Sequence, residues 1–410
     1  MRRVVVPLAA LVLAACAPGV REAQPFAGVW TSDGFGIYLD VHGGDVDLYE
    51  YSRAHCALVY GGGARGISTV LGFEGGRLVL TDAGRVIHLD ALEALPAACA
   101  EEYRSTDPGR IVAVTAATME ELYRPALDDQ WEDRLASVTE GLAFDAQSAA
   151  TTFRALTALL APLDDPGVRL AVDDPTLWNG VWSAGAGPFA GREPYLPPGL
   201  EASTVGGDDG IVVGRFGSVG YLGLSRLGGF AEDDEGSQRV LAAELDSLLA
   251  ESASLILDLR GASSGRAVEA MLIASRFVSE ELLVGTQMIG ATPAGAVTVR
   301  PTVSAPFVGR VAVLVGPGSA GAAEMLVLAL RGLPAVTVVG EPTAGSPTPP
   351  LARYLPNGWS LGVPALDLVT PDGRAWSGTP ILPGIEAATA ADDLDGGSDP
   401  ALELALDLLG

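Results

Sequence analysis

From Phe26 to about Val114, hydrophobic and polar positions alternate in short bursts, GIYLDV, VDLYEY, RLVLTD and RVIHLD, separated by glycine and aspartate turns. A period of two with such turns predicts a small antiparallel sheet or barrel. Beyond it the spacing becomes helical. Leu127, Trp131, Leu135 and Val138 form one apolar stripe, and Phe153, Leu156, Leu159 and Leu160 form another. Residues 182–216 are rich in glycine and proline and read as a linker with isolated extended segments. From Gly217 onward short apolar runs, VGYLGL (219–224), SLILDL (254–259), VAVLV (311–315) and AVTVVG (335–340), alternate with helical segments. Those helices are expected at Ser237–Ala250, Arg266–Phe277 and Ala322–Leu330, with a last one at about 400–409. Such alternation predicts a layered α/β domain. The organisation that follows is an export segment (1–15), a tether (16–25), a β-rich domain (26–115), a helical segment (116–181), the linker (182–216) and the α/β domain (217–410).

Composition narrows the possible partners. The chain has 410 residues, 48% hydrophobic, enough for a sizeable core. Its 25 basic residues are all arginines, facing 51 acidic ones for a net charge of −26, so nucleic acid is excluded as a partner. With three histidines, His42, His55 and His88, and no Cys-x-x-Cys spacing, neither a metal nor another cofactor is expected.

Met1 to Ala15 combines two arginines, an apolar run too short to span a bilayer and small residues at its end, the pattern of an export signal. Leu13-Ala14-Ala15-Cys16 resembles a bacterial lipobox, which implies a lipid on Cys16 and attachment to a membrane of the cell envelope. Cys56 and Cys99 then remain as an even pair in an oxidising compartment, where a disulfide is favoured over two buried thiols.

Six segments carry further information through their order: GYLGLSRLGGF, LILDLRGASSG, VAVLVGPGSAGAAEMLVLAL, VVGEPTAG, LPNGWSLGVP and WSGTPILPGIEA. Together, across about 217–390, they are similar to the family of tail-specific (C-terminal processing) and tricorn-core serine peptidases. That resemblance implies an α/β fold with a crotonase-like spiral peptidase domain, preceded here by a small helical segment and an N-terminal antiparallel β-domain. It also implies a nucleophile at the position of Gly321, two residues after Ser319 and ahead of Ala322-Ala323-Glu324. One branch of the family uses a lysine base, which this chain lacks altogether. The other uses a histidine in a segment like LDDPGVRL (163–170), where Gly167 stands, supported by a glutamate near the position of Ser377.

Carried over residue by residue, the resemblance therefore implies the fold of a peptidase without its nucleophile or base. Gly261, Ser264 and Gly265, in the turn after Asp258-Leu259-Arg260, and Gly318 and Ala320 beside the nucleophile position, are the expected peptide-binding residues. Ser319 is the candidate substitute nucleophile. Its hydroxyl would need a base within about 3 Å, and as a turn or helix-capping serine it would need none. Ser346 reads by default as a polar turn residue. The expected function is an anchored lipoprotein that binds extended polypeptide or a protein partner without cleaving it. The alternatives are hydrolysis through a non-standard nucleophile such as Ser319, and binding of an envelope component or small ligand by the β-domain. Oligomeric state is not legible.

Overall fold

The computed structural model describes residues 26–32, 34–42, 45–53, 55–63, 71–82, 85–100, 103–142, 148–174, 177–183, 195–205, 210–231 and 233–410. The export segment, the tether and Cys16 lie outside these residues.

The alternating bursts form seven strands: β1 (Gly28–Ser32), β2 (Ile37–His42), β3 (Asp45–Ser52), β4 (His55–Gly63), β5 (Leu71–Glu74), β6 (Arg77–Asp82) and β7 (Arg85–Leu92). They make one antiparallel sheet in the order β4-β3-β2-β1-β7-β6-β5. Leu39, Val46, Leu78 and Leu89 are buried on its inner face, as the period of two requires. A disulfide joins Cys56 of β4 to Cys99 in the short 3-10 turn Ala97–Ala100, closing a separation of 43 residues. On the chain-entropy model a loop of that size contributes roughly 3–4 kcal/mol.

Helices follow: α1 (Pro108–Leu122), α2 (Trp131–Leu142) and α3 (Ala149–Leu160). The first begins inside the stretch expected to be β. Its run Ile-Val-Ala-Val looks strand-like, but Pro108 sits in the first turn and the Asp107 side chain accepts from Arg110 N at 2.8 Å. Together these start a helix there.

Next come β8 (Arg169–Asp174), β9 (Trp178–Ser183), β10 (Glu201–Val205), β11 (Ile211–Phe216), β12 (Val219–Leu224), α4 (Asp234–Ala250), β13 (Ser254–Asp258), α5 (Ala267–Ala274), β14 (Leu282–Ile289) and β15 (Thr292–Val299). The chain continues with β16 (Val311–Val315), α6 (Ala322–Leu330), β17 (Val336–Gly340), β18 (Leu351–Tyr354), β19 (Ser360–Val363), β20 (Asp367–Val369), β21 (Ile385–Glu386), α7 (Ala391–Asp395) and α8 (Pro400–Leu409).

The central sheet has the order β10-β11-β12-β13-β16-β17-β21, parallel from β12 to β21. Two of its strands, β10 and β11, lie in the stretch read as a linker. They pair antiparallel with each other, and β11 pairs with β12, extending the sheet. Two smaller sheets, β15-β14-β20 and β18-β19-β8-β9, complete the fold. Alternate residues of β13 face opposite layers: Leu255 and Leu257 pack among the residues of α4, α5 and α6, and Ile256 packs with α8.

The first sheet is not a detached module. Its inner face shares one core with Ile111 and Met119 of α1, Leu156 and Leu159 of α3, and Leu361 and Val363 of β19. A buried polar contact crosses the same layer. Arg353 lies 3.8 Å from Glu50 Oε1 and donates to the Phe35 carbonyl, while Glu50 Oε2 accepts from Tyr354 N at 3.0 Å. Burial raises the Glu50 carboxyl above its ordinary range, against the pull of Arg353.

Candidate functional site

Strand β16 is buried along its whole length and ends in the turn Gly316–Ala320. Ser319 closes that turn. Its amide donates to the Gly316 carbonyl at 2.8 Å, and its Oγ accepts from Gly316 N at 3.1 Å while donating to the Leu259 carbonyl at 2.8 Å. A Cβ at Gly318 would stand 2.4 Å from the Arg260 carbonyl oxygen. Only glycine allows the turns after β13 and β16 to press together there. Ala320 N completes the contact by donating to the Ala262 carbonyl at 3.1 Å.

Gly321 follows at the N-cap of α6 with φ 62° and ψ −121°. Glycine adopts this conformation freely, whereas a residue with a side chain would be strained in it, as a nucleophile is on a strand-to-helix turn that presents it. A Cβ built on Gly321 meets nothing within 4 Å. The backbone of the elbow and the space for its side chain are both present, and the side chain is not.

The loop 343–346 is held against the elbow by Glu324. Its Oε1 accepts from Thr343 Oγ1 at 2.5 Å and Gly345 N at 2.8 Å, and its Oε2 accepts from Ser346 N at 2.7 Å. Burial pushes this carboxyl up to about 7, with the charge of Asp165 acting in the same direction against the three hydrogen bonds. Gly321 N in turn donates to the Ser346 carbonyl at 2.8 Å.

Gly167 approaches from the other side. A Cβ there would lie 2.5 Å from Ser346 Oγ, 2.7 Å from Pro364 Cγ and 3.0 Å from Asp165 Oδ1. The two glycines picked out by sequence thus converge on Ser346, which touches both. Where a base would project, its neighbours have closed in. Asp165 is buried; it accepts from Gly167 N at 2.7 Å and from the Tyr123 hydroxyl at 3.1 Å, and burial raises its carboxyl. Ser346 is 2% exposed, and among the described residues its Oγ forms no aligned hydrogen bond, yet it lies close enough to Asp165 to help hold that charge.

The turn after β13 has its carbonyls engaged. Ser263 O accepts from Arg169 Nη2, and Ser264 O accepts from Leu227 N at 2.9 Å. Gly265, with φ 136°, forms a bridge to Leu227, and a Cβ there would stand 2.3 Å from the Leu227 carbonyl. Close backbone packing therefore explains Gly265 and Gly318. Gly261 O accepts from Ser263 N at 3.0 Å. Ser377 N donates to Asp367 Oδ1 at 2.9 Å, and the neighbouring Gly378 N donates to the Gly345 carbonyl at 2.7 Å, which runs the closing segment beside the 343–346 loop.

Beneath both turns lies a buried charge network. Arg260 contacts Asp258 at 2.6 Å and Asp399 at 2.7 Å, and the Tyr221 hydroxyl donates to Asp258 Oδ2 at 2.9 Å. Burial alone would lower the guanidinium, but the two carboxylates hold it well above its ordinary range.

Sequence reasoning singles out the two glycines and names Glu324 only as part of the motif, and it gives no role to Asp165 or Arg169 and no central place to Ser346. The available signal was the three charged residues Asp164, Asp165 and Arg169 in 163–170 and the lone Glu324 in the otherwise apolar 320–330. Among the described residues no group of His, Cys, Asp and Glu is arranged to hold a metal.

Comparison with known proteins agrees with this geometry. The model of Peptidase family S41 matches residues 218–387. A candidate peptidase of Parabacteroides merdae superposes with a TM-score of 0.56 at 23% identity, covering 74% of this chain and 97% of that one. Mature CPAF superposes with a TM-score of 0.52 at 10% identity, covering 74% and 96%. Its complex with lactacystin gives 0.51 at 9% identity, covering 74% and 97%. No curated protein matches the chain. The match of residues 218–387 to the family model, in a chain whose fold resembles these structures, identifies that stretch as a domain of peptidase family S41, the tail-specific serine peptidases.

Proposed function

We propose that this chain is a lipid-anchored envelope protein that uses an S41 peptidase domain to hold extended polypeptide without cleaving it. The observation that carries the reading is Gly321, an elbow in nucleophile-presenting geometry with no atom to attack a carbonyl. Gly167, at the base position, supports it. Ser319 does not replace the nucleophile, because its hydroxyl is wholly buried and donates to the Leu259 carbonyl. In subtilisin, loss of the nucleophile or the base alone costs about a millionfold in turnover. Polypeptide is taken up by strand addition at an open sheet edge, a mode that needs backbone donors and acceptors but no catalytic group.

The test is exposure of the purified protein to a fluorophosphonate, followed by intact mass measurement. The mass is expected to stay unchanged, with no cleavage of an unfolded protein substrate. An adduct on any serine, Ser319 and Ser346 included, would restore the enzyme reading.

Anchoring has its own test. Cys16→Ser is expected to move the exported protein from the membrane fraction to the soluble fraction, because among the described residues no helix is long and apolar enough to cross a membrane. Continued sedimentation of the exported variant with membranes would assign the anchor to another element.

A further inference from the structure

The hairpin at the free edge of the first sheet is aromatic and projects from the body. Strands β5 and β6 are joined by Gly75 and Gly76, with φ 58° and 85°, the two left-handed residues that a type I′ hairpin requires. A Cβ added at Gly72, Gly75 or Gly76 would meet nothing within 4 Å, so the tip stands clear of its neighbours. Phe73 is carried on this tip and is 48% exposed. Phenylalanines exposed singly are ordinary; this one belongs to a cluster. Phe26 stacks on it at 5.3 Å between ring centroids, and Trp30 meets it edge-on at 5.7 Å, with the Trp30 indole N–H donating to the Phe26 carbonyl at 2.9 Å.

Position assigns this cluster a partner. Phe26 stands ten residues after Cys16, at the start of the first described segment. Strand β1 lies at the middle of the sheet and β5 at its edge, and the stacking of Phe26 on Phe73 brings the two together. A lipid on Cys16 holds Phe26 within about 35 Å of the bilayer, the fully extended reach of ten residues. Charge narrows the partner further. The chain carries −26, and Arg77, opposite Glu74 across the turn, is already paired with Asp90 at 2.7 Å. Contact with lipid at this tip is therefore apolar rather than electrostatic, in the interfacial layer where aromatic rings are favoured.

We infer that the hairpin tip bearing Phe73, with Phe26 stacked on it, is a membrane-contact element that rests its rings in the interfacial layer of the bilayer to which Cys16 is tethered. The inference rests on the lipid-anchor reading and deepens it. A single lipidated residue limits the distance from the surface but not the orientation, and a second, apolar point of attachment fixes which side of the protein faces the lipid. Two rings add too little to hold an untethered chain, since stable attachment takes more than one weak signal. With the tether in place they act at a high local concentration of lipid.

The experiment couples the exported chain, beginning at Cys16, through its Cys16 thiol to a maleimide phospholipid in phosphatidylcholine vesicles, so that the tether is present whether or not a cell acylates that residue. Phe73→Trp places a fluorescent reporter on the tip, and Val308→Trp places one at a residue 88% exposed in the loop before β16. With brominated phosphatidylcholine the emission added at 73 is expected to fall at least about twofold, equally at low and high salt, and that added at 308 to stay unchanged. The natural chain supplies a second reading without substitution: tethering is expected to slow amide hydrogen exchange in 71–77 and to leave the 303–309 loop as it was. Absence of quenching at 73, or equal quenching at 73 and 308, overturns the inference, as does unchanged exchange at the tip of the tethered natural chain. Slowing that grows with protein concentration in the absence of vesicles also overturns it, and assigns the tip to a second copy of the chain. The anchor reading stands or falls separately, by the Cys16→Ser fractionation, because the tether in the vesicles is supplied chemically.

Discussion

Arg260→Leu lowers the unfolding free energy by about 3–5 kcal/mol, a cost set by the two carboxylates it would strand. Asp258, Arg260 and Asp399 are each at most 5% exposed, so Asp258 and Asp399 would be left charged and buried, or protonated at a similar cost. The Tyr221 hydroxyl can still donate to Asp258, which limits the damage but leaves Asp399 short of its cation. A loss of this size is a large share of the roughly 5–15 kcal/mol that holds a typical domain together. Urea denaturation at pH 7 measures it through the midpoint. The exposed pair Arg300–Glu281, at 3.1 Å, is the control, and Arg300→Ala should shift stability by well under about 1 kcal/mol. If Arg260→Leu behaved like that control, the network would not be holding the two turns.

The double substitution Gly321→Ser, Gly167→His leaves proteolysis at background, a shortfall on the order of a millionfold against a working serine peptidase. The two halves fail for different reasons. Serine at 321 has room, since nothing lies within 4 Å of its Cβ, and its cost is the left-handed backbone, about 1–3 kcal/mol. Histidine at 167 has none. Its Cβ would overlap Ser346 Oγ at 2.5 Å and the ring of Pro364 at 2.7 Å, so the imidazole could enter only by displacing the loop that Gly321 N and Glu324 hold in place. Without a base at hydrogen-bond distance the new hydroxyl stays a weak nucleophile. Hydrolysis of an unfolded protein by the purified double variant, absent in Gly321→Ser, would show that the loop yields to the imidazole.

Much of this was legible in the chain and some was not, for identifiable reasons. The strands VGYLGL, SLILD and VAVLV were visible because full burial on both faces leaves no polar position within them. Gly321 and Gly167 stood out in the sequence, and the structure brings both to Ser346. The start of α1 was hidden because Ile111, Val112 and Val114 resemble a strand, and a proline in the first turn outweighed them. The pairing of β8 with β19 is invisible to any local pattern, since the two lie nearly two hundred residues apart. Arg169 escaped notice for a related reason. An arginine in a strand is ordinary until folding shows that its partners are carbonyls contributed by Pro166 and Ser263.

The contact between Glu50 and the segment Arg353–Tyr354 also carries a consequence for the order of assembly. The backbone hydrogen bond to Glu50 spans 304 residues, and the one from Arg353 to Phe35 spans 318. The opening sheet precedes the other described elements in the order of synthesis, and its inner carboxylate then has no counterpart. Pairings so distant are paid for in loop entropy before they return anything, which slows the step that makes them. The sheet therefore waits, incompletely satisfied, until most of the chain has arrived, and the residues after Tyr354, about the last seventh of the sequence, are delivered to a scaffold that has only just locked. A shortened chain that stopped before residue 353 would keep every strand of that sheet and lack the cation that its buried face was built around.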